Sequence, residues 1–205
     1  MKAIFSLKIA LIFYLTTYAQ GYKIGEHTSD FRLMNVDGEI ISMKDFPNAK
    51  GFILIFTCNH CPYSKAYESR IIELDKKYRE KGYPVIAINP NDPEAYPEDS
   101  FENMQKIAKE KGYTFPYLFD ESQNTAKRYG ATKTPHVFVV RKVSNQYVLE
   151  YSGAIDDNSQ NISQVKKKYV EDAVEELLAN KKVTQHTTKA IGCSIKWKAK
   201  KSPKN

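Results

Sequence analysis

The 205 residues are 41% hydrophobic and 27% charged with nine glycines and nine prolines, a balance that excludes a disordered, collagen-like or multi-spanning membrane chain. A body of roughly 150 to 185 residues buries about two-thirds of its unfolded surface, so the three cysteines are not needed as staples and are free for chemistry. The formal charge of +7 is the work of seven lysines at the two ends, Lys2, Lys8, Lys196, Lys198, Lys200, Lys201 and Lys204, and the neutral middle excludes an extended nucleic-acid groove.

At the first end, Lys2 and Lys8 flank an apolar stretch from Ile9 through Leu15. Thr17 and Ala19 then supply the small residues of a cut after Ala19. The stretch falls short of the about 20 apolar residues that span a bilayer. Residues 1–19 read as a signal peptide, residues 20–197 as one domain and residues 198–205 as a basic tail. A retained anchor or an ordinary buried element is the alternative for the first segment. No cysteine lies near the cut to carry a lipid. Export implies a periplasmic or secreted protein in a compartment where disulfides persist, with the membrane involved only through the signal or an anchor.

Within the body, Phe31 to Phe46 alternates around Asp37-Gly38 and predicts an N-terminal hairpin. Phe52 to Thr57 is a nearly continuous apolar run, as expected of a strand covered on both faces. Tyr67, Ile71, Leu74 and Tyr78 recur at helical spacing until Gly82, and Val85 to Asn89 is the next strand. Strand, helix, strand is the crossover unit of an α/β sheet. A helix is expected next with Asp99 as its cap and Glu102 three residues on. A short strand near Tyr117 to Phe119 follows, then a brief helix from Asn124 to Tyr129 ending at Gly130. Val137 to Val140 and Tyr147 to Tyr151 read as paired strands, and Val170, Ala173, Val174, Leu177 and Leu178 mark a last amphipathic helix.

The chemistry concentrates in Cys58-Asn59-His60-Cys61, at the junction of the buried strand and the following helix. Two cysteines three apart at a helix start can reach one another, and the free N–H groups and positive end of the helix dipole stabilise a thiolate there. His60, if protonated, adds a second cationic influence. A zinc site would need a second close-spaced ligand pair, and Cys193, His136 and His186 are scattered. A C-x-x-C within a βαβ pattern reads as redox.

Three segments, Phe56-Thr57-Cys58-Asn59-His60-Cys61-Pro62, Ala131-Thr132-Lys133-Thr134-Pro135-His136-Val137 and Gly192-Cys193-Ser194-Ile195-Lys196-Trp197, resemble the thioredoxin-like superfamily, in particular exported redoxins related to peroxiredoxins and TlpA-type thiol-disulfide oxidoreductases. The resemblance implies an α/β thioredoxin-like fold, a central mixed sheet flanked by helices, with the N-terminal hairpin and an inserted helix before a cis-proline. It implies Cys58 as attacking thiol, Cys61 as resolving thiol, and Thr134-Pro135 as the cis-proline loop whose backbone pairs with a substrate chain. The partners implied are protein thiols and disulfides and an upstream redox partner, with no cofactor, metal or nucleic acid.

The chain departs from that pattern in places. Phe52 stands where a thioredoxin has a buried acid, and Thr57 where it has a tryptophan. Glu68, two helical turns beyond Cys61, is an accessory candidate for proton transfer, or else an exposed residue. Cys193 is an odd cysteine: a third redox partner, an intermolecular bridge or, slightly favoured, a buried free thiol, with Trp197 fitting a packed C-terminal segment. His136 follows the proline and reads as structural, and His27 and His186 as surface or hydrogen-bonded residues. Two alternative functions stand beside disulfide exchange. One is an antioxidant thiol peroxidase, in which Cys61 or Cys193 resolves a Cys58 sulfenic acid, although no arginine lies closer to Cys58 in sequence than Arg70. The other is a copper or zinc protein using Cys58, Cys61 and His60 or His136.

Overall fold

The computed structural model describes residues 21–199, so the segment expected to be a signal peptide and all but the first residues of the lysine tail lie outside it. In chain order the elements are β1 (His27–Thr28), β2 (Leu33–Asn35), β3 (Ile40–Ile41), β4 (Gly51–Phe56), α1 (Pro62–Tyr78), β5 (Val85–Asn89) and α2 (Phe101–Lys111). They continue with β6 (Tyr117–Phe119), α3 (Asn124–Tyr129), β7 (Lys133–Thr134), β8 (His136–Val143), β9 (Gln146–Gly153), α4 (Tyr169–Leu178) and β10 (Cys193–Ser194). Eight strands form one mixed sheet in the order β1-β9-β8-β4-β5-β6-β2-β3, and β7 and β10 make a separate two-stranded ribbon. β4, β5 and β6 run parallel, while β8 lies antiparallel on the other side of β4.

β4 is buried along its whole length because it is central and covered on both faces. Its alternation splits the core in two. Ile53 and Ile55 face Tyr67, Ile71 and Leu74 of α1 and Val170 and Val174 of α4. Phe52, Leu54 and Phe56 face Tyr129, Phe138 and Ile195. Phe52 therefore fills the place of a buried acid with core, stacked edge-on against Phe46 and Tyr147. The cysteine motif emerges at the C-terminal end of β4, between that strand and α1.

Three expectations are corrected. The N-terminal hairpin is shorter than the alternation suggested: β2 and β3 pair over Leu33↔Ile41 and Met34↔Ile40, and the chain then turns into a short 3-10 helix at Met43–Asp45 whose first residues donate to Asp30 and Asp45. The cap of α2 is Ser100, which accepts from the Asn103 N–H, and Asp99 is turned elsewhere. Trp197 is exposed at 42%, and Ile195, at 4%, is the residue that packs the C-terminal segment down. Among the described residues no helix is long and apolar enough to cross a membrane.

Candidate active site

α1 opens with Pro62, which lacks the N–H that a first turn leaves unsatisfied, so Cys61 is its N-cap. Cys58 therefore stands before the helix, on the turn leaving β4, and the first-turn N–H groups favour Cys61 rather than Cys58. Both sulfurs are nearly closed to solvent, Cys58 at 4% exposed and Cys61 at 0%. Thr134 touches each of them. Its hydroxyl lies 3.2 Å from Cys58 Sγ, and its carbonyl oxygen accepts from Cys61 Sγ at 3.1 Å. The Thr134-Pro135 peptide is cis. The Ser64 hydroxyl, 3.8 Å from Cys58 Sγ, closes the far side.

The two thiols titrate as one unit. The hydrogen bond between them pushes the Cys58 thiol up, with burial and the negative Asp99 adding to the rise and the Thr134 hydroxyl opposing it. The same bond draws the Cys61 thiol down to about 4, against burial, helped by the Cys193 thiol and by the Ser64 and Cys193 backbones. The two shifts belong to the pair rather than to either sulfur alone.

The acid beside the motif is Asp99. It lies 38 residues beyond Cys61 and is fully buried. One carboxylate oxygen accepts the Asn59 N–H at 2.7 Å and the His60 N–H at 3.2 Å. The other meets His60 Nδ1 at 2.5 Å and accepts from Asn91 Nδ2 at 2.8 Å. Asn59 is held a second time, its amide donating to the Glu98 carbonyl and accepting from the Tyr117 hydroxyl at 2.8 Å. The Cys58–Cys61 turn is thus clamped by a carboxylate that replaces four water hydrogen bonds. His60 stacks on Tyr96 with centroids 4.1 Å apart, and its Nδ1 is 3.7 Å from Cys58 Sγ. That nitrogen points at Asp99 first and at the sulfur second.

Glu68 does not come to the cysteines. It pairs with Lys111 at 2.9 Å, because an acid half-covered by α2 is best placed beside a cation. Cys193 does come: β10 pairs with β7 so that Cys193 lies opposite Thr134, and it is half-buried rather than buried. Ligand-type atoms of Cys58, His60 and Asp99 lie within 4.8 Å of one another, the one such trio among the described residues. Cys58 and His60 belong to the donor set considered for copper or zinc, but the third member is Asp99 rather than Cys61, and His60 Nδ1 is already engaged by Asp99 and Cys58.

His136 sits on β8 with Nδ1 accepting from the Thr132 N–H at 3.4 Å and Nε2 against the Ser152 hydroxyl at 3.1 Å. Both contacts suit the neutral ring, and burial lowers its pKa to about 4. An unfolded histidine titrates near about 6.5, so the unfolded chain binds the proton first as pH falls. The stability this group contributes is intact above about pH 6.5 and is lost on the way down to about pH 4, by about 3 kcal/mol at most. Urea unfolding should show that loss in the native protein and a flatter profile in His136→Gln; equal slopes would mean that another group carries it.

A buried dicysteine turn at a strand-to-helix junction, flanked by a threonine-proline loop, defines a thioredoxin-like oxidoreductase. The AhpC/TSA family model matches residues 24–157, and the chain belongs to that family. It is 26% identical over 142 residues to the thiol-disulfide oxidoreductase ResA of Halalkalibacterium halodurans, covering 68% of this chain and 76% of that one. Among solved structures, an uncharacterized conserved protein from Geobacillus kaustophilus is 38% identical with a TM-score of 0.80 over 87% of this chain and 94% of that one. An exposed lipoprotein thioredoxin of Streptococcus pneumoniae strain TIGR4 shares the fold at a TM-score of 0.54 and 22% identity, over 74% of this chain and 99% of its own. The α/β thioredoxin-like fold read from the sequence is therefore the observed one.

Proposed function

We propose that the chain is an exported thiol-disulfide oxidoreductase in which Cys58 and Cys61 cycle between dithiol and disulfide, exchanging with protein thiols and disulfides. The observation that carries the reading is the contact of Thr134 with both sulfurs, hydroxyl to Cys58 and carbonyl to Cys61, which binds the pair to one loop. Cys58 is the attacking residue because it alone retains any exposure. Its thiolate attacks one sulfur of a substrate disulfide and expels the other as a thiolate. Cys61 then attacks Cys58, closing the intramolecular disulfide and releasing the second substrate thiol. Thr134 Oγ1 and the neighbouring Ser64 hydroxyl steady charge on Cys58, while Asp99 holds His60 and the turn in place. An upstream redox partner resets the pair.

The export part of this reading rests on the apolar segment before residue 20, which lies outside the described residues. The peroxidase alternative is not favoured by the site: among the described residues the side-chain partners of Cys58 Sγ are His60, Ser64 and Thr134, and none is an arginine. Arg70 is held by Asp156, Asn158 and Ser159, Arg79 by Asp75, Arg141 by Glu150, and Arg128 donates to Ser29.

The reading is tested by trapping. Cys61→Ser protein mixed with a disulfide-bonded substrate should accumulate a mixed disulfide that maps to the tryptic peptide of residues 51–65. The Cys58→Ser protein should hold no such adduct on that peptide. Equal trapping by both variants would overturn the assignment of Cys58.

A further inference from the structure

We propose that Cys193 is a third redox cysteine, which receives the disulfide from the Cys58–Cys61 pair by attacking Cys61 and so carries it toward the surface. This rests on the disulfide-exchange reading above. The geometry begins with the ribbon of β7 and β10, in which Cys193 lies directly opposite Thr134 and Ser194 opposite Lys133. Residues directly opposed in an antiparallel pair carry their side chains on the same face, with Cβ atoms about 4.5–5.5 Å apart. The Thr134 side chain on that face is the one that reaches Cys58, and the Thr134 carbonyl is the one that Cys61 contacts. Cys193 is thereby set beside the active pair, and its thiol and backbone are among the groups that hold the Cys61 thiol down.

The segment carrying it is built into the fold. Gly192 approaches the loop so closely that a Cβ there would lie 2.2 Å from the Thr134 oxygen. Downstream, Ile195 is buried and donates to Thr132, Lys196 exchanges hydrogen bonds with Asn91 and Asp92, and Gln123 clasps the Lys196 carbonyl and the Lys198 N–H. The backbone edge at Thr134, which the family resemblance reserves for a substrate chain, is occupied by the protein's own strand, with a cysteine directly opposite Thr134.

The step balances without any added oxidant. Starting from the Cys58–Cys61 disulfide, the Cys193 thiolate attacks Cys61 Sγ, a Cys61–Cys193 bond forms, the Cys58–Cys61 bond breaks, and Cys58 leaves as a thiolate that takes up the proton Cys193 gave. One disulfide, a two-electron oxidation, is conserved among the three cysteines throughout. In the reduced protein, burial raises the Cys193 thiol to about 11, with the hydrogen bond to Cys61 and the Cys61 charge adding to the rise and Lys196 and Lys133 opposing it. Once Cys61 is in a disulfide its charge is gone, so the Cys193 thiolate becomes easier to form when it is needed. The result leaves Cys58 free for a second substrate while the disulfide sits on the half-buried Cys193, within reach of a partner.

The test uses full-length protein oxidised with glutathione disulfide, alkylated and digested with trypsin. Cys58→Ser protein should yield a cross-link between the peptides of residues 51–65 and 190–196 in most chains. Gly192→Ala on that background, which forces the strand off the loop, should slow cross-linking at least tenfold, and Cys193→Ser in the otherwise native protein should confine all oxidation to the 51–65 peptide. Free or glutathionylated Cys193 with no cross-link in the Cys58→Ser protein, while the 51–65 disulfide forms normally in Cys193→Ser, overturns the third-cysteine role and leaves the two-cysteine reading standing. Failure of the 51–65 disulfide to form in Cys193→Ser overturns that reading, and the relay with it.

Discussion

Cys58→Ser is expected to lower the rate of disulfide exchange by roughly a thousandfold or more, to the level of the uncatalysed reaction, since a serine oxygen at this position is neither acidic enough to ionise nor able to form the S–S bond. The lesion is chemical. The Thr134 and Ser64 hydroxyls that surround Sγ pair equally well with a hydroxyl, so the turn and the core beneath it stay in place. Reduction of a disulfide-bonded protein substrate, followed by its precipitation, measures the rate, and a thermal midpoint within about 4 °C of the native value shows that the fold is intact. A folded variant that kept about a tenth of native activity would place the attack on another sulfur.

Asp99→Ala is expected to be the most damaging change away from the cysteines. It leaves the Asn59 and His60 N–H groups, His60 Nδ1 and Asn91 Nδ2 without their acceptor in a site closed to water. Breaking a buried charged network costs roughly 3–5 kcal/mol, or about 10 °C in the thermal midpoint of a domain of this size. Asp99→Asn keeps one acceptor oxygen and should cost less, which makes it the variant for chemistry. The Cys58 thiol is held up by its bond to Cys61, by burial and by the Asp99 charge, so removing that charge lowers it. The pH profile of alkylation at Cys58 should therefore move to lower pH in Asp99→Asn, and the couple should become more oxidising because its reduced form is the one stabilised. An unmoved profile in a folded Asp99→Asn protein would mean that the carboxylate clamps the turn without setting its electrostatics.

The parts of the fold that show in the sequence are those with a local cause. The apolar runs at Gly51–Phe56 and Val85–Asn89, the short apolar strand at Tyr117–Phe119 and the short helix from Asn124 to its glycine stop at Gly130 are read from composition and turn chemistry alone. The cysteine motif shows for the same reason, since its spacing is contained within four residues. Asp99 does not show. Asp99 and Ser100 are adjacent residues of equal capping preference, only one can cap α2, and the carboxylate released by that choice reaches a turn far away in sequence. The position of Cys193 is hidden for a related reason: a two-residue strand has no periodicity, and its partner β7 lies about 60 residues earlier. The one local hint is Gly192, an isolated glycine before the cysteine of the kind that marks close approach of two backbones. For Glu68, helical geometry fixes the face of a residue on its own helix but not the neighbour covering that face, here Lys111 of α2.

The central claim is that Cys58 and Cys61 form one two-electron couple, and Cys193→Ser protein isolates it. Equilibrated across glutathione buffers, quenched with acid and mapped, this protein should show the 51–65 peptide passing in a single two-electron transition from two alkylated thiols to one internal disulfide. Two free thiols at every poise, or separate glutathionylation of each cysteine with no internal disulfide, would contradict the account.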